Sequence, residues 1–223
     1  MIGLGAGGHA KVVVEILRAT GKYEVVGLLD RNSSLKGTEV SGIQVLGGDE
    51  LLPSLVQEEV RLAFVGVGSA SDAMLRKKIY EMILSAGMEP VAAIHPSAII
   101  SPSAQTGTGP TVMAGAIINA SAILGHNVVI NTGVIIEHDC IIGDHAYVAT
   151  GAMLSSGVTV GECAHIGAGA VVRQGISIGA ESVVGAGAAV VKEVPAGVVV
   201  VGVPARILHP VEERQNTGSP PKG

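Results

Sequence analysis

Aliphatic residues occur at every sixth position from Ile94 to Val190, and this repeat constrains the fold more than any other feature of the chain. Only Thr106 interrupts the series. The residue four places after each of these positions is valine-sized or smaller, apart from Ile176. A period of six fits neither an amphipathic helix nor an alternating strand, and repeats this short are typical of a solenoid. The pattern predicts a hexapeptide β-helix that keeps its register as far as Pro195.

The composition agrees with a thin solenoid. Hydrophobic residues make up 48% of the chain, yet aromatic residues make up only 2%, because a narrow interior has no room for rings. The 32 glycines suit a chain that turns every few residues. A net charge of −5 argues against nucleic acid or an anionic membrane as a partner. We find neither a leader-like segment nor an apolar run long enough to span a membrane, so we expect a cytoplasmic protein.

The chain divides into three segments. Residues 1–92 alternate between strand and helix patterns, which predicts a small Rossmann-like α/β domain with a parallel sheet. The β-helix domain is predicted over residues 93–208, and residues 209–223 are predicted to form a polar tail. The first strand is very short, so either it is truncated or the true start of the chain lies upstream of Met1.

Within the first segment, three apolar runs indicate buried strands, at residues 1–4, 25–29 and 62–67. One helix is predicted to place Val13, Ile16 and Leu17 on a single face and to stop at Gly21. A second helix is predicted over residues 70–85.

A glycine-rich loop follows the first apolar run. Gly3, Gly5 and Gly8 satisfy the pattern G-x-G-x-x-G, and Asp30 lies where a ribose-binding acid is expected. A dinucleotide-dependent dehydrogenase is disfavoured, because the rest of the chain offers no α/β substrate domain. Glycines at a helix N-terminus still let the backbone approach a phosphate, so a nucleotide diphosphate is the favoured ligand. A tight turn without a ligand is the alternative.

Five local motifs support a family resemblance: Gly5-Ala6-Gly7-Gly8-His9-Ala10-Lys11, Ile94-His95-Pro96-Ser97-Ala98, Ile130-Asn131-Thr132-Gly133, Glu137-His138-Asp139-Cys140-Ile141-Ile142-Gly143 and Val201-Gly202-Val203-Pro204-Ala205-Arg206. With these motifs the chain resembles the sugar O- and N-acetyltransferases built on hexapeptide repeats. That family includes N-acetyltransferases of UDP-4-amino sugars and a branch similar to sialic acid O-acetyltransferases. The resemblance implies a left-handed parallel β-helix with about three hexads per coil. It also implies a homotrimer with active sites between subunits, acetyl-CoA between neighbouring β-helices, and a sugar nucleotide held by the N-terminal domain.

Acetyl transfer needs a base that removes a proton from the attacking amine or hydroxyl, and histidine has a suitable pKa. His138 and Asp139 occupy a turn of their hexad, where side chains can reach outward and the carboxylate can orient the imidazole. The resemblance assigns His138 as general base and Asp139 as its partner. The alternative is an exposed histidine in a turn. The other histidines considered for this role are His126, His145 and His165.

The resemblance also implies two groups of binding residues. The sugar nucleotide would be bound by Gly7, Gly8, His9, Asp30, Arg31, Gly68 and Asn131. CoA would be bound by Tyr147, Ala168 and Ala186, with the main chain expected to contribute around the two alanines. Tyr147 departs from the family, which has a histidine there, and its acid–base behaviour differs. Lys192 and Arg206 are further candidates for contact with CoA phosphates, with solvated surface charge as the alternative.

A coil of three hexads predicts that residues eighteen apart are strand neighbours. This rule places His126 beside Asp144, a pair interpreted as a surface or interface contact, and stacks His165 on Tyr147. It places Glu137 two coils from Arg173, which suggests a stabilising ladder.

The remaining cysteines and histidines give no metal prediction. Cys140 falls on a small interior position, whereas Cys163 is expected to be a free surface thiol. The histidine spacing does not match a zinc carbonic anhydrase of the β-helix type, so no metal is expected.

These observations predict an enzyme that transfers acetyl from acetyl-CoA to the amine of a nucleotide-linked sugar of the 4-amino-4,6-dideoxy type, for glycan biosynthesis. O-acetylation of a sugar hydroxyl, as in sialic acid, is the nearest alternative. A protein of another class, a non-catalytic β-helix that binds nucleotide sugars, is the second alternative. The unbroken repeat leaves no room for a long loop insertion over the active site, so the N-terminal domain is expected to hold the acceptor.

Overall fold

The N-terminal part of the protein is an α/β unit. The computed structural model describes residues 1–68 and 73–211. The first elements are β1 (Ile2–Leu4), α1 (Gly8–Thr20), β2 (Gly27–Leu29), β3 (Glu39–Val40), β4 (Ile43–Gly47), α2 (Leu52–Gln57), β5 (Leu62–Val65), α3 (Ala73–Ser85) and β6 (Glu89–Pro90). Six strands form one sheet in the order β3-β4-β2-β1-β5-β6, and every neighbouring pair is parallel except β3–β4.

Helix α1 forms where its apolar period predicts it. Val13, Ile16 and Leu17 are buried on one face against the sheet. Gly21 ends the helix in the left-handed conformation, with φ of 64°, and its N–H donates to the carbonyl of Arg18. The β3–β4 hairpin, α2 and β6 were not predicted from the sequence.

The rest of the chain winds into short parallel strands of two residues each. They are β7 (Ala93–Ile94), β8 (Ile99–Ile100), β9 (Gln105–Thr106), β10 (Thr111–Val112), β11 (Ile117–Ile118), β12 (Ile123–Leu124), β13 (Val129–Ile130), β14 (Ile135–Ile136), β15 (Ile141–Ile142), β16 (Tyr147–Val148), β17 (Met153–Leu154), β18 (Thr159–Val160), β19 (His165–Ile166), β20 (Val171–Val172), β21 (Ser177–Ile178), β22 (Val183–Val184) and β23 (Ala189–Val190). Two longer strands follow, β24 (Val198–Val201) and β25 (Arg206–Pro210), and these two are antiparallel.

From β7 to β23, every third strand joins the same sheet, and β24 and β25 extend the first of these sheets. Sheet 1 contains β7, β10, β13, β16, β19, β22, β24 and β25, sheet 2 contains β8, β11, β14, β17, β20 and β23, and sheet 3 contains β9, β12, β15, β18 and β21. Among strands β7 to β23, each residue therefore pairs with the residue eighteen places on, as Tyr147 does with His165. The predicted architecture, an α/β unit followed by a left-handed parallel β-helix, is confirmed.

The interior of the β-helix consists of the two restricted positions of the hexad. The aliphatic position is at most 2% exposed in every hexad from Val112 to Val190. The small position is also buried, and Cys140 lies there with no exposed surface, as predicted. Between these positions the chain turns, and the residue before each small position has a positive φ in most hexads. Asp139, at φ of 61°, is one of these turn residues.

Three sequence predictions are wrong in the β-helix domain and the segment after it. Cys163 is buried rather than a surface thiol, and burial raises the pKa of its thiol to about 11. The hexad register ends at Val190 rather than at Pro195. Val184 pairs with Val200, an offset of 16 residues (200 − 184), so the last coil is two residues short. Residues 209 and 210, predicted as part of the tail, belong to β25, and residues 212–223 lie outside the described residues.

The two parts of the protein pack against each other along sheet 1. Buried side chains of α1, including Val13, share a hydrophobic cluster with Met113, Val129 and Tyr147 of the β-helix. Polar contacts extend this interface at one edge, where the Arg76 guanidinium of α3 donates to the Asn127 side-chain oxygen at 2.7 Å. The α/β unit therefore covers one face of the β-helix.

Two neighbouring isoleucines in β15 give a matched test of the interior. Ile142 is 1% exposed and Ile141 is 47% exposed. We expect Ile142→Ala to lower the free energy of unfolding by about 2–4 kcal/mol, because it leaves a cavity in the interior. Ile141→Ala should cost less than about 1 kcal/mol. Chemical denaturation of both variants measures the difference, and equal losses would contradict the assigned strand orientation.

Candidate active site

The three turns of each coil stack into three corners that run along the β-helix. The corner between sheets 1 and 2 carries Thr132, Thr150, Ala168 and Ala186; the corner between sheets 2 and 3 carries His138, Ser156 and Gln174; the corner between sheets 3 and 1 carries His126, Asp144 and Glu162. Backbone hydrogen bonds between coils hold each corner, such as Gly187 N–H to the Ala168 carbonyl at 2.8 Å. Residues along one corner are thus spaced by about 4.8 Å per coil.

A cleft of about 470 Å³ lies between the α/β unit and the first of these corners. We call it the interdomain cleft. Its α/β wall is formed by Gly8, His9, Val12 and Gly68, and its β-helix wall by Met113, Asn131, Thr132 and Tyr147. The structure therefore brings together five residues that the family resemblance assigns to two ligands: Gly8, His9, Gly68, Asn131 and Tyr147.

Tyr147 and Asn131 are linked on the β-helix wall. The Asn131 Nδ2 group donates to the Tyr147 hydroxyl at 2.8 Å, and the Asn131 Oδ1 atom accepts from the Thr132 N–H at 2.7 Å. The Tyr147 ring stacks on His165 with centroids 5.2 Å apart and planes 7° from parallel. The stacking of His165 on Tyr147 predicted from the eighteen-residue rule is present.

The His9 side chain contacts a buried arginine, Arg76. Arg76 has no exposed surface, and its Nη1 group lies 3.3 Å from His9 Nε2. The same guanidinium donates to the Val67 carbonyl and to Asn127. Burial, and then the positive charge of Arg76, lower the pKa of His9 to about 3. The imidazole is therefore neutral near pH 7 and accepts a hydrogen bond from Arg76.

A second cleft of about 490 Å³ lies at the carboxyl ends of β2 and β4, and we call it the sheet-edge cleft. Asp30 and Arg31 line it, together with Ser33, Lys36, Gly47, Gly48, Asp49 and Glu50. Arg31 Nε donates to Asp49 at 2.7 Å. Asp30 accepts from the Ala6 N–H at 2.8 Å, so it also fixes the glycine-rich loop.

Gly7 and Gly8 are not explained by the protein's own packing. A Cβ atom at either position would meet no atom within 4 Å, and neither residue has a positive φ. By contrast, a Cβ at Gly3 would lie 2.3 Å from Phe64. Gly7 immediately precedes helix α1, whose free N–H groups favour an anion. The open space before α1 suits a phosphate group.

His138 and Asp139 lie in the turn between β14 and β15, as the sequence predicts. His138 Nδ1 is 2.7 Å from Asp139 Oδ2, and both side chains are more than half exposed. Since Nδ1 faces the carboxylate, Nε2 is left to exchange a proton with a ligand. This corner is one sheet away from the interdomain cleft, so His138 is not among the residues that line the cleft.

Two side-chain pairs that the eighteen-residue rule places near each other form hydrogen bonds with other groups. His126 and Asp144 are neighbours, but Asp144 Oδ1 accepts from the backbone N–H of His126 at 2.7 Å, and the ring nitrogen Nδ1 accepts from Thr108 instead. Glu137 accepts from Asn119 Nδ2 at 3.1 Å, and no ion pair with Arg173 is found within the described ranges.

Sequence reasoning missed several residues that line the clefts or support them from the interior. Arg76 lies three, four and seven residues before the buried Ile79, Tyr80 and Ile83, so a helical period contained the signal for a buried charge. Met113 precedes Asn131 by eighteen residues, so the stacking rule also contained its position. The acidic side of the sheet-edge cleft follows β4, a strand that was not predicted.

Comparisons with known proteins match both parts of the chain. The family description "PglD N-terminal domain" matches residues 2–83, and "Bacterial transferase hexapeptide (six repeats)" matches residues 121–156. PerB from Caulobacter crescentus, solved in complex with CoA and GDP-perosamine, is 42% identical, with 92% of this chain and 95% of that chain covered and a TM-score of 0.87. The chain belongs to the hexapeptide-repeat sugar O- and N-acetyltransferase family. As a member it is an acetyl-CoA-dependent sugar N-acetyltransferase.

Other solved members of the family are similar over almost their whole length. The acetyltransferase domain of PglB from Neisseria gonorrhoeae, solved with acetyl coenzyme A, is 37% identical, covering 93% of this chain and 98% of that one, with a TM-score of 0.85. WeeI from Acinetobacter baumannii is 26% identical, covering 93% and 99%, with a TM-score of 0.78. Among curated protein sequences, none matches this chain.

Two further observations concern the described residues alone. None of the helices within residues 1–68 and 73–211 combines the length and the hydrophobicity that a bilayer-spanning segment needs. In the same part of the chain, no three His, Cys, Asp or Glu side chains converge on a possible metal position.

The low pKa of His9 predicts a dependence of stability on pH. The unfolded chain protonates His9 below its ordinary pKa of 6.5, whereas the folded protein keeps it neutral down to about 3. Stability should therefore fall as pH drops through this window, by up to about 1.4 kcal/mol per pH unit for one group. We expect thermal unfolding to show a smaller loss between about pH 7 and pH 4.5 for His9→Gln than for the wild type. Identical losses would mean that folded His9 is protonated.

Proposed function

We propose that this enzyme acetylates the amine of a nucleotide-linked 4-amino-4,6-dideoxy sugar, with His138 as general base. The observation that carries the proposal is the continuous series of sites along one edge of the parallel sheet. The sheet-edge cleft, the open space at Gly7 and Gly8 and the interdomain cleft follow the carboxyl ends of β4, β2, β1 and β5. Ligands of open α/β sheets bind at this edge. The GDP-perosamine in the complex with the similar PerB is an acceptor of this type.

The three parts of such a ligand match the three regions. The nucleoside suits the sheet-edge cleft, where Asp30, Asp49 and Glu50 offer acceptors for ribose hydroxyls and base N–H groups. The diphosphate suits the N-terminus of α1, where Gly7 and Gly8 let it approach the backbone. The sugar then extends into the interdomain cleft, towards Asn131 and Tyr147.

Acetyl-CoA is proposed to lie along the corner that carries Ala168 and Ala186. Both residues are exposed turn residues with short side chains, so the main chain of the corner is accessible to a ligand. Ala168 lies two coils beyond Thr132 on this corner. Two coils span about 10 Å, so Ala168 is about 10 Å from the cleft residue Thr132. A thioester could therefore reach the sugar from this side.

The chemistry needs one proton to move. The neutral amine attacks the carbonyl carbon of the thioester, a C–N bond forms, and the C–S bond breaks when the tetrahedral intermediate collapses. His138 Nε2 takes the proton from the nitrogen, the CoA thiolate leaves, and the imidazolium passes that proton to the thiolate. Asp139, 2.7 Å from Nδ1, stabilises the imidazolium that forms.

We also propose that the working unit is a homotrimer in which His138 of one copy serves the interdomain cleft of another. Within one chain, sheet 2 separates the corner of His138 from the corner of the cleft. The outer face of sheet 2 carries a ladder of apolar residues, of which Ile99 is 64%, Met153 43% and Val171 40% exposed. An exposed apolar ladder of this kind is typical of a protein–protein interface. Packing sheet 2 against a neighbour would bury the ladder and bring the two corners together.

The amine is preferred over a hydroxyl because the similar PerB is a perosamine N-acetyltransferase. O-acetylation would use the same base, so hydroxyl acceptors are the negative control in the kinetic test.

The role of His138 gives the first kinetic test. We expect His138→Ala to lower kcat/KM by about 10²–10⁴ with a nucleotide-linked 4-amino sugar, because the base is lost. Thermal unfolding should change little, since the side chain is exposed. Release of CoA measured with amino and hydroxyl acceptors checks both the base and the acceptor. Unchanged turnover in the variant would rule out His138 as the base.

Mixed oligomers test the shared site. His138→Ala lacks the base, and Gly8→Val fills the proposed phosphate position, so each should be inactive alone. Co-expressed in equal amounts, they should recover about a quarter of wild-type activity, because random mixing unites an intact base and an intact cleft at one interface in four. Light scattering of the purified mixture reports the number of subunits. No recovery in mixed trimers would place the base and the cleft in the same chain.

A further inference from the structure

The hydrogen-bonding direction at Tyr147 is set by its neighbour. Asn131 Oδ1 accepts from the Thr132 N–H at 2.7 Å, so the Nδ2 group is the one that faces Tyr147. An amide nitrogen only donates, and the Tyr147 oxygen therefore accepts in this contact. The phenolic proton has to be donated to a different group.

The donor direction of Tyr147 is available to a ligand. Among residues 1–68 and 73–211, the only hydrogen bond found at the hydroxyl is the one from Asn131. The residue is only 8% exposed, yet it lines the interdomain cleft opposite Gly8 and His9. His9 does not compete for the proton, because its Nε2 atom already faces Arg76.

The ring itself is fixed before a ligand arrives. Tyr147 stacks on His165 at 5.2 Å, and β16 and β19 pair in register at these two residues. Burial lowers the pKa of His165, so the stacked imidazole is neutral near pH 7. A ring held on one side by a stack and at its oxygen by Asn131 loses little freedom on binding.

We propose that Tyr147 binds the acceptor, donating its phenolic hydrogen bond to an oxygen of the nucleotide sugar, on the diphosphate or on the sugar. This rests on the proposed function, and it differs from the CoA contact that the family resemblance implies for this position. The reason is the position of Tyr147 across the cleft from the glycine-rich loop, whereas Ala168 and Ala186 lie further along the neighbouring corner.

The test is the binding selectivity of Tyr147→Phe, which removes one oxygen and keeps the stack on His165. Calorimetry would use three probes: GDP, a GDP-linked 4-amino sugar and CoA. We expect affinity for the GDP-linked sugar to fall about tenfold or more, as for a lost hydrogen bond to a polar or charged group, and affinity for CoA to stay unchanged. An equal fall for GDP would place the contact on the diphosphate, and no fall for GDP would place it on the sugar.

Tyr23→Phe is the matched control. Tyr23 is partly exposed and precedes β2, at the edge of the sheet opposite the clefts, so all three affinities should match the wild type. Weaker binding of CoA alone in Tyr147→Phe, or no change with any probe, would overturn the assignment of Tyr147 while leaving the proposed function in place. A wild-type protein that binds CoA but neither GDP nor the GDP-linked sugar would overturn the acceptor part of the proposed function, and this inference with it.

Discussion

The stacking of one coil directly on the next determines where every outward-facing side chain of the β-helix lies. Backbone N–H groups donate to carbonyls of the adjacent coil, as from Tyr147 to Ala164 at 2.9 Å, and this ladder allows only one register. The interior enforces the same register, because aliphatic and small positions alternate around a narrow core with no space for a slipped coil. The sequence position of a functional residue within the repeat therefore determines the corner and the coil on which it lies.

The second constraint is the joint between the α/β unit and sheet 1. Apolar packing supplies most of its area, but Arg76 determines its detail by bridging the glycine-rich side, through His9 and Val67, to Asn127 of the β-helix. Burial lowers the pKa of Arg76 to about 10, yet the group stays charged at neutral pH. The free-energy cost of desolvating a buried cation is offset only when its hydrogen-bond acceptors are well placed. The two walls of the interdomain cleft are thereby held at a defined separation.

The sequence predicted the parts of the protein that are governed by short periods. The hexads predicted the interior of the β-helix, the eighteen-residue rule placed His165 on Tyr147, and the helical period placed the buried face of α1. Predictions failed where the outcome depends on contacts between parts of the chain. Cys163 stands in a turn, which favours exposure, but it is buried in the folded protein. The carboxylate of Asp144 binds the backbone rather than the His126 ring, since register fixes the neighbours but not which atoms meet.

The position of the site explains why assembly would matter for catalysis. In one chain, His138 and Asp139 are exposed, and water weakens the interaction between a carboxylate and an imidazolium at any fixed distance. A neighbouring subunit packed on sheet 2 would exclude water from this corner and strengthen the interaction when the proton arrives. The same packing would present the proposed base to an acceptor oriented by the interdomain cleft. Binding and proton transfer are then divided between two subunits, so an isolated chain would bind its acceptor without an efficient base.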